Sequence, residues 1–400
     1  MRNTALYKKS LFDISEFSIC CLILSINING ANFFHTKELF FFLSLLLSMR
    51  FGSYKNLFPF FTMISIYFIS LISNFSNPYM DLNQGLRYIL GLCYLIIFIF
   101  LSERYKSLIV KAYFVSAMLV AILTVGIWLI CNSFPVIKNA MILYFSSLNT
   151  GEYAFLFMIR NRKILGWWIM GVYYCTAPCM IPALAYSYTQ FFKYKAKKYF
   201  ACSLMLSVGL IFTMARANIL AALAVNFLSF AFNLLRKKKL TSFFFVTFSA
   251  LLCAITIVTL FLSDKTEGSL SIKALHKESY NEVFDSSLLK YVVTGWGAGS
   301  EFYSKGYKEW TFITELSLHE TIRRYGLIQT AIIFFAIWLT PIIRFCISKK
   351  RFADKFFWGG VFFTYLFVAC TNPFLLGSIG FCALLFMSTI LRYSLENKEI

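Results

Sequence analysis

The sequence predicts an all-α, polytopic membrane bundle of about twelve transmembrane helices, and three observations lead there. First, 59% of the 400 residues are hydrophobic, 19% are aromatic and only 14% are charged. A soluble domain so apolar has too little polar surface to stay dispersed, so the chain must meet lipid. Second, the apolar residues fall in long runs. A bilayer core needs about 20 consecutive apolar residues per helix, and runs approaching that length lie near 13–30, 37–51, 57–74, 87–102, 108–131, 165–189, 199–215, 217–235, 241–262, 325–345, 356–371 and 375–391. Third, stretches such as "YLIIFIFL" and "AIIFFAIWL" do not alternate, as the strands of a membrane barrel must.

In chain order, the first two runs carry the weakest signal, since Ile14 to Asn29 contains Glu16 and 37–51 is short. "SICCLILSINING" has a polar-interrupted core and no small-x-small cleavage site, so it reads as a retained helix rather than a secretory signal. With the N-terminus placed in the cytoplasm and twelve crossings, the inside segments hold 23 of the 38 Lys and Arg, including "KYKAKK", "RKKK" and "RFCISKKRFADK". This satisfies the positive-inside rule and puts both termini in the cytoplasm. It also accounts for most of the net charge of +20 without a nucleic-acid partner. The eleven Cys sit almost wholly in apolar runs, with no CxxC pair and no Cys/His array. Even Cys175 and Cys179, one helical turn apart, read as buried thiols, and neither a disulfide framework nor a zinc site is expected.

The chain forms one integral membrane domain, and its non-lipid sequence is spent on the outer face. Two long segments lie there, 132–164 and 263–318, the second far longer than an ordinary connection. The span interiors are nearly free of charge, which argues against an ion-coupled transporter.

Four outer-face features are candidates for chemistry. In "FTMARANILAAL", Arg216 stands where one apolar run meets the next. It either snorkels to the interface or turns inward to grip a phosphate with its planar fork. In "FMIRNRK", Arg160, Arg162 and Lys163 breach the positive-inside pattern, as a solvated basic rim or as steering charges for an anionic lipid head group. In "VVTGWGAGSEFY", the glycines lack the strand–turn–helix setting of a nucleotide loop. A tight turn presenting backbone N–H groups to a ligand stays open.

The fourth is "ITELSLHETIRRYGLIQTAIIFF". At helical spacing Glu315, His319 and Arg323 share one stripe, and Glu320 and Arg324 the next. Intrahelical ion pairs would explain them. An acid/base and diphosphate site would use them differently: His319 accepts a proton from a sugar hydroxyl, Glu315 or Glu320 orients the imidazole, and Arg323 and Arg324 offset charge on a departing pyrophosphate. His35 and His276 read as surface residues.

About twelve spans, the Arg at the seventh–eighth junction, a long outer loop before the tenth span, and the "GxGxGS … LHE … YGL" progression resemble the O-antigen polymerase and O-antigen ligase superfamily. The likeness spans most of the chain in architecture and is sharpest over 213–224 and 292–330. It implies a GT-C-like glycosyltransferase of the bacterial inner membrane, with a periplasmic active site and glycans on undecaprenyl diphosphate as substrates. It implies no metal, no nucleotide sugar and no other cofactor. Arg216 matches the family's diphosphate-contacting arginine and His319 the histidine near the acceptor hydroxyl. The family often carries Asn shortly after that histidine, where this chain has Glu320 and Thr321. It also usually has an Arg before the glycine turn, whereas 263–318 holds six Lys and no Arg. Lys277 or Lys290 would substitute, or Arg323 and Arg324 supply the charge. The resemblance leans to the polymerase branch, with the ligase and a polysaccharide or lipid-carrier transporter as alternatives and a chain-length regulator as a possible partner.

Overall fold

A computed structural model describes residues 2–28, 36–51, 58–75, 105–148, 157–164, 167–247, 269–314, 316–372 and 375–396, with isolated positions at 80, 81, 83, 85 and 94. The expected span at 87–102 and most of that at 241–262 lie outside these residues. Helices dominate: α1 (Arg2–Ile28), α2 (Thr36–Phe51), α3 (Phe58–Asn74), α4 (Lys106–Ser133), α5 (Pro135–Leu148), α6 (Met180–Tyr194), α7 (Lys197–Phe212), α8 (Arg216–Arg236), α9 (Ser269–Asp285), α10 (Ser317–Tyr325), α11 (Leu327–Ile347), α12 (Phe352–Cys370) and α13 (Ser378–Glu396). Four of these, α4, α8, α11 and α13, are long and apolar enough to cross a membrane.

Their surfaces identify the solvent. Only a third of the most apolar stretch of α4, and of α11, is buried within the protein. Leu123 is 50% exposed, Leu129 53%, Phe335 61% and Phe363 57%. Water does not tolerate apolar faces on this scale, whereas hydrocarbon does, so the chain is a multi-pass membrane protein.

Inside the bundle, helices meet through small residues and hydrogen bonds, since lipid supplies no hydrophobic drive between them. A Cβ on Gly209 would stand 3.0 Å from the Cβ of Ala121, so α7 presses closely on α4. A Cβ on Gly360 would meet Leu228 at 2.7 Å, where α12 crosses α8. Asn226 of α8 donates to Ser207 of α7 at 3.1 Å and accepts from Tyr188 of α6. Asn27 of α1 donates to Ser116 of α4 at 2.7 Å.

The sequence expectation fails at 165–189. Residues there form strand β2 (Trp167–Tyr174), paired antiparallel with β1 (Phe157–Ile164), and helix begins only at Met180. The run "WWIMGVYY" is rich in aromatic and β-branched residues, which favour a pleated strand, and apolarity alone does not separate the two states. Pro178 and Pro182 then set the helix start late. The hairpin packs under α4, where Trp128 Nε1 donates to the Met170 carbonyl at 2.9 Å. Segment 132–164 is likewise more than a loop, since α5 occupies 135–148. Segment 263–318 contains α9, a π-turn (Lys290–Thr294), and a short hairpin of β3 (Phe302–Ser304) and β4 (Glu309–Thr311).

Candidate active site

The charged cluster forms a helix of its own, α10, distinct from the apolar helix that follows it. Gly326 adopts φ 82° and separates α10 from α11 as two helices. That conformation suits glycine because it has no Cβ, and a Cβ there would also strike the Val293 backbone at 2.8 Å. Glu315 precedes α10 and lies outside the described residues, so its expected place on the His319 stripe is not part of the structure.

The glycine turn explains its own sequence. Gly295 (φ 69°) and Gly297 (φ 101°) hold a turn that runs against the C-terminus of α10. A Cβ on Gly295 would lie 2.3 Å from the Arg324 carbonyl, and one on Gly297 would lie 1.9 Å from Asn74 Oδ1. Its amides are spent on protein. Trp296 N–H donates to the Arg323 carbonyl at 2.7 Å, Gly297 N–H to that of Arg324 at 3.2 Å, and Gly299 N–H to Asn74 Oδ1 at 3.1 Å. The open reading of a ligand cradle is therefore corrected: the turn is a latch between α3 and α10.

At the centre of the latch lies Glu320. Its carboxylate accepts from Arg323 Nε at 3.1 Å, Arg323 Nη2 at 2.7 Å, Arg324 Nε at 2.5 Å and the Tyr280 hydroxyl at 2.7 Å. Both guanidiniums also donate to the Phe312 carbonyl, at 3.2 and 3.1 Å. Arg323 further donates to Ser300 and stacks over the Phe302 ring, 4.7 Å from its centroid. The Arg323 side chain is fully buried and Glu320 nearly so. Burial pushes the Glu320 carboxyl up, but the two guanidiniums and the hydrogen bonds outweigh it and hold the group below its ordinary value. Burial, and then the Glu320 charge, pushes Tyr280 well up, so its hydroxyl stays protonated as a donor. Removing one partner from such a buried pair costs about 3–5 kcal/mol, because the other charge stays buried.

This corrects two expected roles. Glu320 orients the guanidiniums rather than His319, and Arg323 has no surface with which to reach a phosphate. Sequence spacing revealed the charges but not their direction. The residue that closes the network, Tyr280, lies forty positions upstream in an ordinary-looking amphipathic helix.

His319 precedes Glu320 on α10 and also faces α9, but it stays outside the network. It is half-buried, its ring 5.6 Å from that of Tyr280, and no hydrogen bond reaches it among the described residues. Burial lowers its pKa below 6.5 and the charge of Lys277 lowers it further, so it is a neutral imidazole at neutral pH. Lys277 itself is exposed on α9, and Lys290 is half-buried in the π-turn, where its carbonyl accepts the Gly295 amide at 2.7 Å.

His276 is not the surface residue its setting suggested. It is fully buried, its Nδ1 bonded to Ser304 at 2.8 Å and its ring set edge-on against Tyr307. Gly306 has no Cβ because one would lie 2.5 Å from this ring. The contact fastens α9 to the β3–β4 hairpin, and Lys305 adds a bridge to Glu278 and Glu282.

Arg216 begins α8, half-buried. The preceding turn packs on the first hairpin, where a Cβ on Gly171 would meet that of Met214 at 2.5 Å. Two residues along β2, Tyr173 donates to Asn372 at 3.1 Å, and Ser317 at the start of α10 bonds to the Asn372 carbonyl. A short chain of contacts therefore joins the Arg216 junction to the helix of His319 at one end of the bundle. Arg160 and Arg162 share that end through β1, where Arg160 pairs with Gly171 and Arg162 with Ile169. The steering role expected of their side chains lies outside what the structure describes. Among the described residues no group of three or more His, Cys, Asp or Glu could hold a metal ion. Comparisons with models of known families, with curated proteins and with solved structures find no match to this chain.

Proposed function

We propose that this protein is a lipid-linked glycan polymerase of the bacterial inner membrane with about twelve crossings and both termini in the cytoplasm. It moves a growing chain from undecaprenyl diphosphate to a new lipid-linked repeat unit on the periplasmic face. The observation that carries the reading is His319. It is a neutral, partly accessible imidazole without a hydrogen-bond partner among the described residues, beside Lys277 and backed by a buried guanidinium pair, at the end of the bundle where Arg216 opens a helix.

In the reaction the acceptor hydroxyl oxygen attacks the anomeric carbon of the donor sugar. The bond from that carbon to the diphosphate oxygen breaks, and undecaprenyl diphosphate departs with the electron pair. His319 takes the hydroxyl proton and returns it to solvent, a role that needs the neutral ring. Arg216 and Lys277 offset charge on the departing diphosphate. Arg323, Arg324 and Glu320 act as positioning residues, fixing α10 so that His319 presents the same face at every turnover.

Gene deletion with complementation tests the reading. Loss of a polymerase leaves lipopolysaccharide capped by a single repeat unit. Loss of a ligase leaves bare core with polymer on its carrier, and loss of a transporter leaves bare core with repeat units trapped inside. Either of the latter outcomes overturns the proposal. So do normal long chains from both Arg216→Ala and His319→Ala at normal protein levels.

A further inference from the structure

The proposed chemistry leaves the opposite end of the bundle without a role. Trp128 of α4 touches the first hairpin, and Lys111 lies 17 residues earlier in the same helix, about 25 Å away along its axis. At the Lys111 end is a cavity of about 530 Å³ where α4, the C-terminus of α6 and the N-terminus of α7 meet. Among the described residues no carboxylate lines it. Lys111 and Lys198 stand at its rim, both exposed and without an ion pair among the described residues. Tyr194 and Tyr199 flank it with stacked rings, 6.3 Å between centroids.

Two polar side chains line this cavity although each is more than nine-tenths buried: Gln190, 6% exposed, and Tyr186, 8%. Neither side chain hydrogen-bonds to any group among the described residues. The polar ends of both side chains stay accessible from the cavity, so they are open to a ligand or to water. Alongside them, α7 begins at Lys197 with no capping side chain, leaving the positive end of a 16-residue helix facing the same space. Amines, an amide, a hydroxyl and a helix N-terminus, with no acid among them, select an anion.

The geometry points to a site for a phosphodiester, the glycerophosphate head group of an anionic phospholipid. Lys111, Lys198 and the first amides of α7 meet the phosphate, Gln190 and Tyr186 meet the glycerol and ester oxygens, and the flanking tyrosine rings cover the chain stems. The volume exceeds that of a bare phosphate, and the site sits where exposed apolar helix surface gives way to the basic segment "KYKAKK". A second cavity at this end, about 510 Å³, contains Asp354 among its basic residues and so lacks the acid-free character.

The test uses the full chain purified in a neutral detergent. Its unfolding midpoint is followed while dihexanoyl phosphatidylglycerol, dihexanoyl phosphatidylcholine or glycerol 3-phosphate is titrated in. The expected result is a saturable rise with phosphatidylglycerol at least ten-fold below the concentration phosphatidylcholine needs. Lys111→Gln with Lys198→Gln, both exposed and so neutral to folding, should weaken that response five-fold or more, and Gln190→Leu should weaken it separately. Glycerol 3-phosphate acting at equal concentration, with the same sensitivity to the variants, keeps the phosphate site but assigns it to a soluble ester. Equal responses to the two lipids, or lysine variants that respond as the parent does, overturn the proposal.

Discussion

Glu320 and Gln190, at opposite ends of the bundle, use a polar side chain in opposite ways. Glu320 accepts four hydrogen bonds from three side chains, and each partner is held again by Phe312, Ser300 or Thr314. Gln190 is about as buried, yet its amide finds no protein partner among the described residues. A saturated network specifies one arrangement of the chain, whereas unspent donors and acceptors leave room for something else to bind. Charge density is thus a poor guide to where a ligand goes. The charge-rich cluster at 320–324 is consumed in holding structure, and the chemistry proposed for that end rests on the neighbour the network leaves alone, His319.

The sharpest way to break this contrast is to unpair the saturated end. Glu320→Ala should cost about 3–5 kcal/mol, read as a collapse of the unfolding midpoint in detergent, because two buried guanidiniums lose their counter-charge. Replacing the group together, as Glu320→Met with Arg323→Met and Arg324→Leu, should recover much of that loss. A triple variant as unstable as the single one would mean that the ion pairs are not the source of stability. His319→Ala should do the reverse, changing stability by less than about 1 kcal/mol while slowing glycan transfer about 10²–10⁴-fold. Normal stability with normal chain length would remove His319 from the mechanism.

Next in size, Gly297→Ala should lose on the order of 1–3 kcal/mol from backbone strain alone, with the clash against Asn74 in addition. Gly359→Ala is the matched control. Its Cβ would meet nothing within 4 Å inside a helix, so the change should be slightly stabilising, by up to about 1 kcal/mol. The smallest effect concerns pH. A base works when deprotonated, and His319 titrates below 6.5, so transfer should fall only as pH drops through that lowered value. Lys277→Gln removes the second of the two depressing causes and should move the acidic limb to higher pH. Burial, the larger cause, remains, so the limb stays below 6.5. A limb that stays put would separate Lys277 from the site.

Much of the helical plan was legible because membrane helices are written in one variable, apolar length. Runs such as 108–131, 217–235 and 325–345 correspond to α4, α8 and α11. The hairpin at 157–174 was not, since apolarity reads the same in a strand and in a helix when no alternation marks the buried face. In the candidate site, the residues of α10 were visible and their partners were not. Tyr280, Ser300, Phe312 and Asn74 are brought together by long-range packing that no local pattern encodes. The buried His276 was misread for the same reason, because the Gly306 that makes room for it lies thirty positions away.

Glu320 has one more consequence, for motion. It draws on α9 through Tyr280, on the glycine turn through Arg323 and Ser300, and on the β4 exit through Phe312. Elements fastened to one carboxylate cannot fray separately, so they form a single cooperative unit. Amide hydrogens of Trp296, Gly297 and Gly326 should therefore exchange with solvent at one common rate, set by the opening of the whole assembly, while those at the tip of the β3–β4 hairpin exchange ahead of it.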